Sequence, residues 1–468
     1  MKVNLTLIVF CSLFANSIYA TPSLTNVDTD GDGLVEINTV DDFAALRDTW
    51  GKGLVDLNGN NTGCPDDGCN GYELMADLDL ANLSDAGDLP YPFLVGIVFE
   101  GNGYTLSNVT PQLAQRGLFR QLSDTTIQNL NLENVDFRAS TDYLGSISPQ
   151  VVDSKLINVT VSGHLQSDHY TGGLLGVAAN TLVVNSHFTG TINTIHPYTI
   201  GAGGLVGRAD DVTLFASSAT VSFSPMTDPA FARIGALFGV QGGRNFILAS
   251  TAEVTNLLKP ILTSEYNGTF GLIVEDSYVV LRAVESMPTG GKVFRWFQDF
   301  PDTSSSNVTE DLSLDDMSCP NSENATLCSY PTLYKGWLKY KDDNNQNVWD
   351  LSIDGTSPSI NPSLTYGLAD DDADGFLNSL DAFPLNPAAF LDHDGDGKPE
   401  AWNVACDIDC QEQSGLSLDE EVESFFTDVD SEQNPDGLGG AFHLFDLLLG
   451  LILLPLALRL RKSIKQCA

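Results

Sequence analysis

The chain has 468 residues, with 22 Lys and Arg against 62 Asp and Glu and a formal net charge of −40. That acid excess argues against a nucleic-acid partner or an anionic lipid surface, since both are bound mainly by neutralising negative charge with Lys and Arg. A hydrophobic share of 42% still supplies a sizeable core, and 42 glycines with only 18% charged residues point to a turn-rich, β-rich body.

Residues 1–20 open with Lys2, run through an apolar stretch and end on the small Ala20. That is the pattern of a secretory signal peptide cleaved before Thr21. Phe10 ahead of Cys11 disfavours lipidation, which wants a small residue there. Residues 21–110 read as a lead-in and cap. Asp28, Asp30, Asp32 and Glu36, with Gly33 among them, form a short calcium-type acidic loop. Thr39 with Asp42 predicts the N-terminus of a short helix carrying Phe43, Leu46 and Trp50. It would cover the open end of whatever sheet follows. Six cysteines fall outside the two termini, in three close couples: Cys64 with Cys69, Cys319 with Cys328 and Cys406 with Cys410. Close spacing in an exported chain suggests disulfide loops, with zinc as the alternative.

Residues 111–290 repeat a glycine-apolar word. It stands as Gly172-Gly173-Leu174-Leu175-Gly176, Gly203-Gly204-Leu205-Val206-Gly207 and Gly235-Ala236-Leu237-Phe238-Gly239. Weaker copies surround Leu118, Gly145 and Gly271. Aligned positions fall at 117, 145, 173, 204, 236 and 271, a near-regular interval. Between the words, stretches such as Lys155-Leu156-Ile157-Asn158-Val159-Thr160-Val161 alternate with period two. Short strands, a regular period and glycine corners predict an all-β chain, a right-handed β-solenoid. Asn129, Asn158 and Asn185 recur in register near the turns, which predicts a side-chain ladder. Residues 291–365 would close the solenoid, and Phe294, Trp296, Phe297 and Phe300 form an aromatic group within them.

These words resemble the GLUG motif of exported bacterial repeat proteins, which also occurs beside the peptidase region of immunoglobulin A1 proteases. No such peptidase region is present in this sequence. The resemblance extends over about residues 26–365, from Asp28-Thr29-Asp30-Gly31-Asp32-Gly33 through Phe99-Glu100-Gly101-Asn102-Gly103 to Val348-Trp349-Asp350.

The strongest chemical signal lies in residues 366–436. Asp370, Asp372, Asp374, Asn378 and Asp381 follow EF-hand-like spacing, with Gly375 at the sixth position. Asp392, Asp394, Asp396 and Glu400 repeat its first half. Two carboxylates about 4 Å apart repel by roughly 4 kcal/mol at an effective dielectric of 20, and Ca2+ reverses that sign. The run from Asp381-Ala382-Phe383-Pro384 to Asp396-Gly397 resembles the thrombospondin type 3 calcium repeat. That resemblance implies a calcium-stiffened spacer rather than catalysis.

Residues 437–468 carry Gly439-Gly440, an apolar stretch over 441–458 and then Arg459, Arg461, Lys462 and Lys465. This reads as a short transmembrane helix with a cytoplasmic C-terminus. It resembles the GlyGly-CTERM sorting signal, which implies transient inner-membrane insertion and cutting by a rhombosortase-type protease.

The sequence lacks HExxH, GxSxG and a phosphate loop. His164, Asp168 and His169 are expected on a turn. Arg208, Arg233 and Arg244 suit an acidic sugar only by fold analogy. The expected function is therefore non-catalytic adhesion or binding to a surface glycan or protein ligand. A β-helix lyase or hydrolase acting on polysaccharide is the alternative.

Overall fold

The computed structural model describes residues 28–49, 69–87, 89–111, 115–139, 143–167, 169–194, 201–224, 234–255, 272–275, 277–282, 292–296, 311–313, 337–351, 358–392, 396–399, 401–403 and 406–418. The signal segment, the Gly-Gly tail, Cys319 with Cys328, and the aromatics around Trp296 lie outside the residues whose side chains are described. Among the described residues no helix is long and apolar enough to cross a membrane.

The body is a β-solenoid of three parallel sheets. The first sheet stacks Leu34–Ile37, Gly71–Leu74, Val98–Glu100, Thr126–Gln128, Ser148–Ile157, Leu175–Val184, Val206–Phe215, Asn245–Leu248 and Leu272–Glu275 in that order. The second runs from Leu78–Asp79 through Thr105–Ser107, Asn131–Arg138, Thr160–Ser167, His187–Thr194, Ser218–Phe223 and Thr251–Thr255 to Ser277–Arg282. The third consists of two-residue strands, Leu144–Gly145, Thr171–Gly172, Ala202–Gly203 and Ile234–Gly235. Three of these short strands end on the first glycine of a full glycine-apolar word, Gly172, Gly203 and Gly235. A Cβ on Gly203 would overlap the Val206 carbonyl oxygen and come within 2.5 Å of the Gly239 nitrogen. Glycine is therefore required by backbone approach at this corner, not only by turn geometry.

Period two sorts the side chains. Tyr72, Phe99, Ile127, Leu156, Val183, Leu214 and Ile247 share one register position in successive coils, and all are fully buried. Each contributes roughly 1.5–3 kcal/mol by leaving water. The expected asparagine ladder is present. Asn158 Nδ2 donates to Asn129 Oδ1 at 2.8 Å, and Asn185 Nδ2 donates to Asn158 Oδ1 at 2.8 Å. All three residues have positive φ, which Asn tolerates. A second ladder left no clear mark in the sequence pattern. Within the core, the backbone N–H of Ser186, Ser217 and Ser250 donates to the hydroxyl of Ser217, Ser250 and Ser277 respectively, at 2.9 to 3.1 Å.

Further elements flank both ends of the body. Helix Val40–Ala44 has Thr39 as N-cap in a reciprocal capping box with Asp42, and it buries Phe43. At the far end Ser277–Arg282 pairs antiparallel with Lys292–Trp296, which pairs antiparallel with Asp311–Ser313. The described residues between 337 and 401 then pack on the outer face of the first sheet. Ile157, Leu182, Val184, Phe215, Phe246 and Leu248 point away from the solenoid core, yet they are buried against Trp337, Trp349, Tyr366, Leu377 and Phe390. The acidic segment expected as a spacer thus begins as a docked cover, because the sheet beneath it is apolar on both faces.

Candidate functional site

The C-terminal loop is held by its own aspartates. Asp370 accepts from the N–H of Asp374 and of Gly375, both at 3.2 Å, and Asp374 accepts from the N–H of Phe376 at 2.8 Å. Gly375 takes φ of +100°, as the sixth position of such a loop demands. One carboxylate oxygen from each of Asp370, Asp372 and Asp374 lies within 4.8 Å of the other two. Calcium–oxygen distances of about 2.3–2.6 Å place no two ligands more than roughly 5 Å apart, so the set fits that ion. Burial pushes Asp381 up to about 7, helped by the charges of Asp374, Asp372 and Asp370, against the hydrogen bond from the Phe383 N–H. Burial likewise raises Asp374 to about 6. Asn378 is spent elsewhere: its Oδ1 accepts from the Asp371 N–H at 2.9 Å. Asn403, absent from the sequence reading, donates to Asp374 Oδ2 at 3.0 Å. Lys155 of the first sheet pairs with Asp370 at 2.9 Å, which ties this loop to the solenoid.

In the second acidic loop Asp392 accepts from the Gly397 N–H at 2.9 Å and Asp396 from the Lys398 N–H at 2.8 Å. Asp394 and Glu400 lie outside the described residues. In the N-terminal loop Asp28, Asp30 and Asp32 form one carboxylate group, and Asp30, Glu36 and Glu73 form another. Burial opposes charge on Glu36, but hydrogen bonds from Thr29 and Asn38 outweigh it and hold its pKa below the usual range. Burial raises Glu73, with the charges of Asp32, Asp30 and Glu36 adding to it against the amide of Asn102. Glu73 stands outside the Asp-rich motif, so spacing gave no sign of it. Only the strand register, which pairs Glu36 with Glu73, brings them together.

The other candidate residues that are described make local contacts. His164 lies within strand Thr160–Ser167 rather than on a turn, and its Nδ1 meets Thr191 Oγ1 at 2.5 Å. Arg208 pairs with Asp210 at 2.8 Å and lies over the Tyr170 ring. Arg244 donates to the Trp402 carbonyl at 3.0 Å. Asp168 and Arg233 lie outside the described residues. Cys406 and Cys410 form a disulfide with Cα atoms 5.3 Å apart, and Cys69 is disulfide-bonded.

The outer face of the second sheet is a flat array of short polar side chains. Thr160, His187, Ser218 and Thr251 form one row across the strands, Ser162, Thr189, Thr220 and Glu253 a second, and His164, Thr191, Ser222 and Thr255 a third. Within Thr160–Ser167, His187–Thr194 and Ser218–Phe223, no outward side chain is an acid or a base other than histidine. On a molecule of net charge −40 these three strands form an uncharged strip at the strand spacing of about 4.8 Å, bordered by Glu253 on the next strand and by Asp136 and Arg138 on the preceding one.

No protein-family model matches the chain. Over 161 residues, 33% of its length, it is 32% identical to an immunoglobulin A1 protease of Streptococcus sanguinis. It is 31% identical over 161 residues to an immunoglobulin A1 protease of Streptococcus pneumoniae. The chain spans 8% of the length of each of these relatives. A solved structure of an IgA1 protease aligns with 43% of this chain and 16% of its own, at 25% identity and a TM-score of 0.33. The chain is thus distantly homologous to part of the immunoglobulin A1 proteases.

Proposed function

We propose that this is an exported, non-catalytic binding protein of the cell surface or its surroundings, which presents the neutral face of its second sheet to a surface glycan or protein ligand. The observation that carries the reading is the hydroxyl array. Rows of Thr and Ser at a fixed spacing, uncharged across the three central strands, match a repeating polymer whose own groups are hydroxyls. Such a face offers many weak hydrogen bonds with little desolvation of charge. The signal-peptide pattern and the Cys406 to Cys410 disulfide support export, since disulfides persist in oxidising compartments. Ca2+ is the proposed structural ion of the acidic loops. The tail of residues 437–468 is proposed to insert transiently in the inner membrane and to be processed there by a rhombosortase-type protease.

Binding of the full exported chain to a panel of immobilised glycans and surface polymers tests the reading. A Thr189→Lys variant places a charge at the centre of the array, on a strand whose neighbours at that row are Ser162 and Thr220. At least a tenfold loss of binding with unchanged thermal unfolding is expected. Unchanged binding by this variant, or turnover of a bound polysaccharide by the wild type, overturns the proposal.

A further inference from the structure

Strand register builds a column of carboxylates at the start of the solenoid. Glu36, Glu73 and Glu100 occupy one position on three successive parallel strands of the first sheet. They are 3%, 5% and 8% exposed, so little of each side chain meets bulk water directly. Among the described residues no salt bridge reaches any of the three.

Their hydrogen bonding is unequal. Glu100 is satisfied: Oε1 accepts from the Asn102 N–H at 2.6 Å and Asn129 Nδ2 at 3.0 Å, and Oε2 accepts from Gln128 Nε2 at 2.5 Å. Glu36 is satisfied as well, with Oε1 accepting from the Thr29 N–H at 3.0 Å and from the Thr29 hydroxyl. Glu73 is not. Its Oε2 accepts from Asn102 Nδ2 at 2.9 Å, while its Oε1 is buried without any donor. A buried oxygen without a partner is rare and needs a cause.

A carboxylate oxygen of Glu73 lies within 4.8 Å of one on Glu36 and one on Asp30. Asp30 also belongs to the group with Asp28 and Asp32, so the loop can supply further oxygens from the solvent side. We propose that Asp30, Glu36 and Glu73 hold a divalent cation of the calcium class, bound between the first and second strands of the solenoid. The inference rests on the reading that the acidic loops take calcium, and it adds a ligand from a different coil. The donors are all hard oxygens, as calcium prefers, and their separation suits an ion with a ligand distance of about 2.3–2.6 Å. The site is thus a cross-strand staple and not a loop site alone. Leu34–Ile37 is the terminal strand of its sheet and only four residues long. An ion bridging Glu36 to Glu73 fastens that edge, which otherwise frays or pairs with another chain.

Hydrogen exchange on the full chain, with Ca2+ or with chelator, tests the staple. Ca2+ should slow exchange of residues 34–37 at least tenfold in the wild type. Glu73→Gln should abolish that response while leaving the response of residues 370–381 in place. Glu73→Gln should also be more stable than wild type in chelator, where the carboxylates only repel, and less stable than wild type in Ca2+. Asp30→Asn, at an exposed position, should weaken the same response. A calcium response at 370–381 with none at 34–37 overturns the staple and leaves the general calcium reading intact. No response at either place overturns both. Glu73→Gln more stable than wild type in both conditions means that the carboxylates only repel and no ion bridges them, and this too overturns the proposal.

Discussion

His187 stands at the end of the asparagine ladder. Its Nε2 meets Asn185 Oδ1 at 3.1 Å and its Nδ1 meets Ser218 Oγ at 2.8 Å. These partners suit a neutral ring that donates at Nε2 and accepts at Nδ1. Burial pushes its pKa down to about 4. A folded value below the unfolded one, near 6.5, means that the unfolded chain binds the extra proton first. Its contribution is therefore full above pH 6.5 and is lost as pH falls from there toward 4. Between pH 7 and 5 the wild type should lose about 2 kcal/mol more stability than His187→Gln. Denaturant titrations of both proteins at the two pH values measure this. Equal losses mean that the ring already titrates normally in the fold.

At the scale of elements, the glycine word is the unit of construction. Gly172 and Gly203 occupy matching places in Thr171–Gly172 and Ala202–Gly203, and a Cβ at either would strike the backbone of the same word and of the next coil. Gly203→Ala should cost more than about 3 kcal/mol, in the range of a core disruption, because backbone cannot rotate out of the way as a side chain can. The denaturation midpoint decides it, and a shift of only a degree or two would mean that the corner is loose. The same steric demand explains why the solenoid was legible in the sequence: each coil must repeat its glycines, so the word shows as a period. The cap of helix Val40–Ala44 was legible for a similar reason, since Thr39 and Asp42 satisfy each other locally. Leu182, Val184, Phe215 and Phe246 were not. Alternation marks one inward face, and an apolar outward position has meaning only once its cover is known, more than a hundred residues further along the chain. Glu73 was hidden in the same way, because a ligand from the neighbouring coil has no spacing rule within a motif.

The cover is also where the whole molecule is most open to change. The described residues between 337 and 401 hold to the first sheet through an apolar seam in which Phe246 meets Phe390 edge to face, with ring centroids 4.9 Å apart. Beside that seam lies the acidic loop. Its Asp370 pairs with Lys155 of the sheet, and its Asp374 is tied by Asn403 to the segment beyond. Without a cation, Asp370, Asp372 and Asp374 crowd three carboxylates into one small volume, and their repulsion acts directly on the piece of chain that closes the seam. The Ca2+ proposed for this loop would stabilise the folded form by mass action and so favour the cover on the sheet. Chelation should therefore speed proteolysis within residues 370–403 at least tenfold. It should also raise binding of an apolar dye, as Leu182, Phe215 and Phe246 lose their cover. Asp372→Asn should lower the calcium affinity of the loop and move both readouts toward the chelated state even with Ca2+ present. The solenoid should keep its β signal throughout, because its core column and its ladders close within the coils. Identical cleavage and dye binding with Ca2+ and with chelator would show that the seam alone holds the cover and that the loop is only a solvated turn.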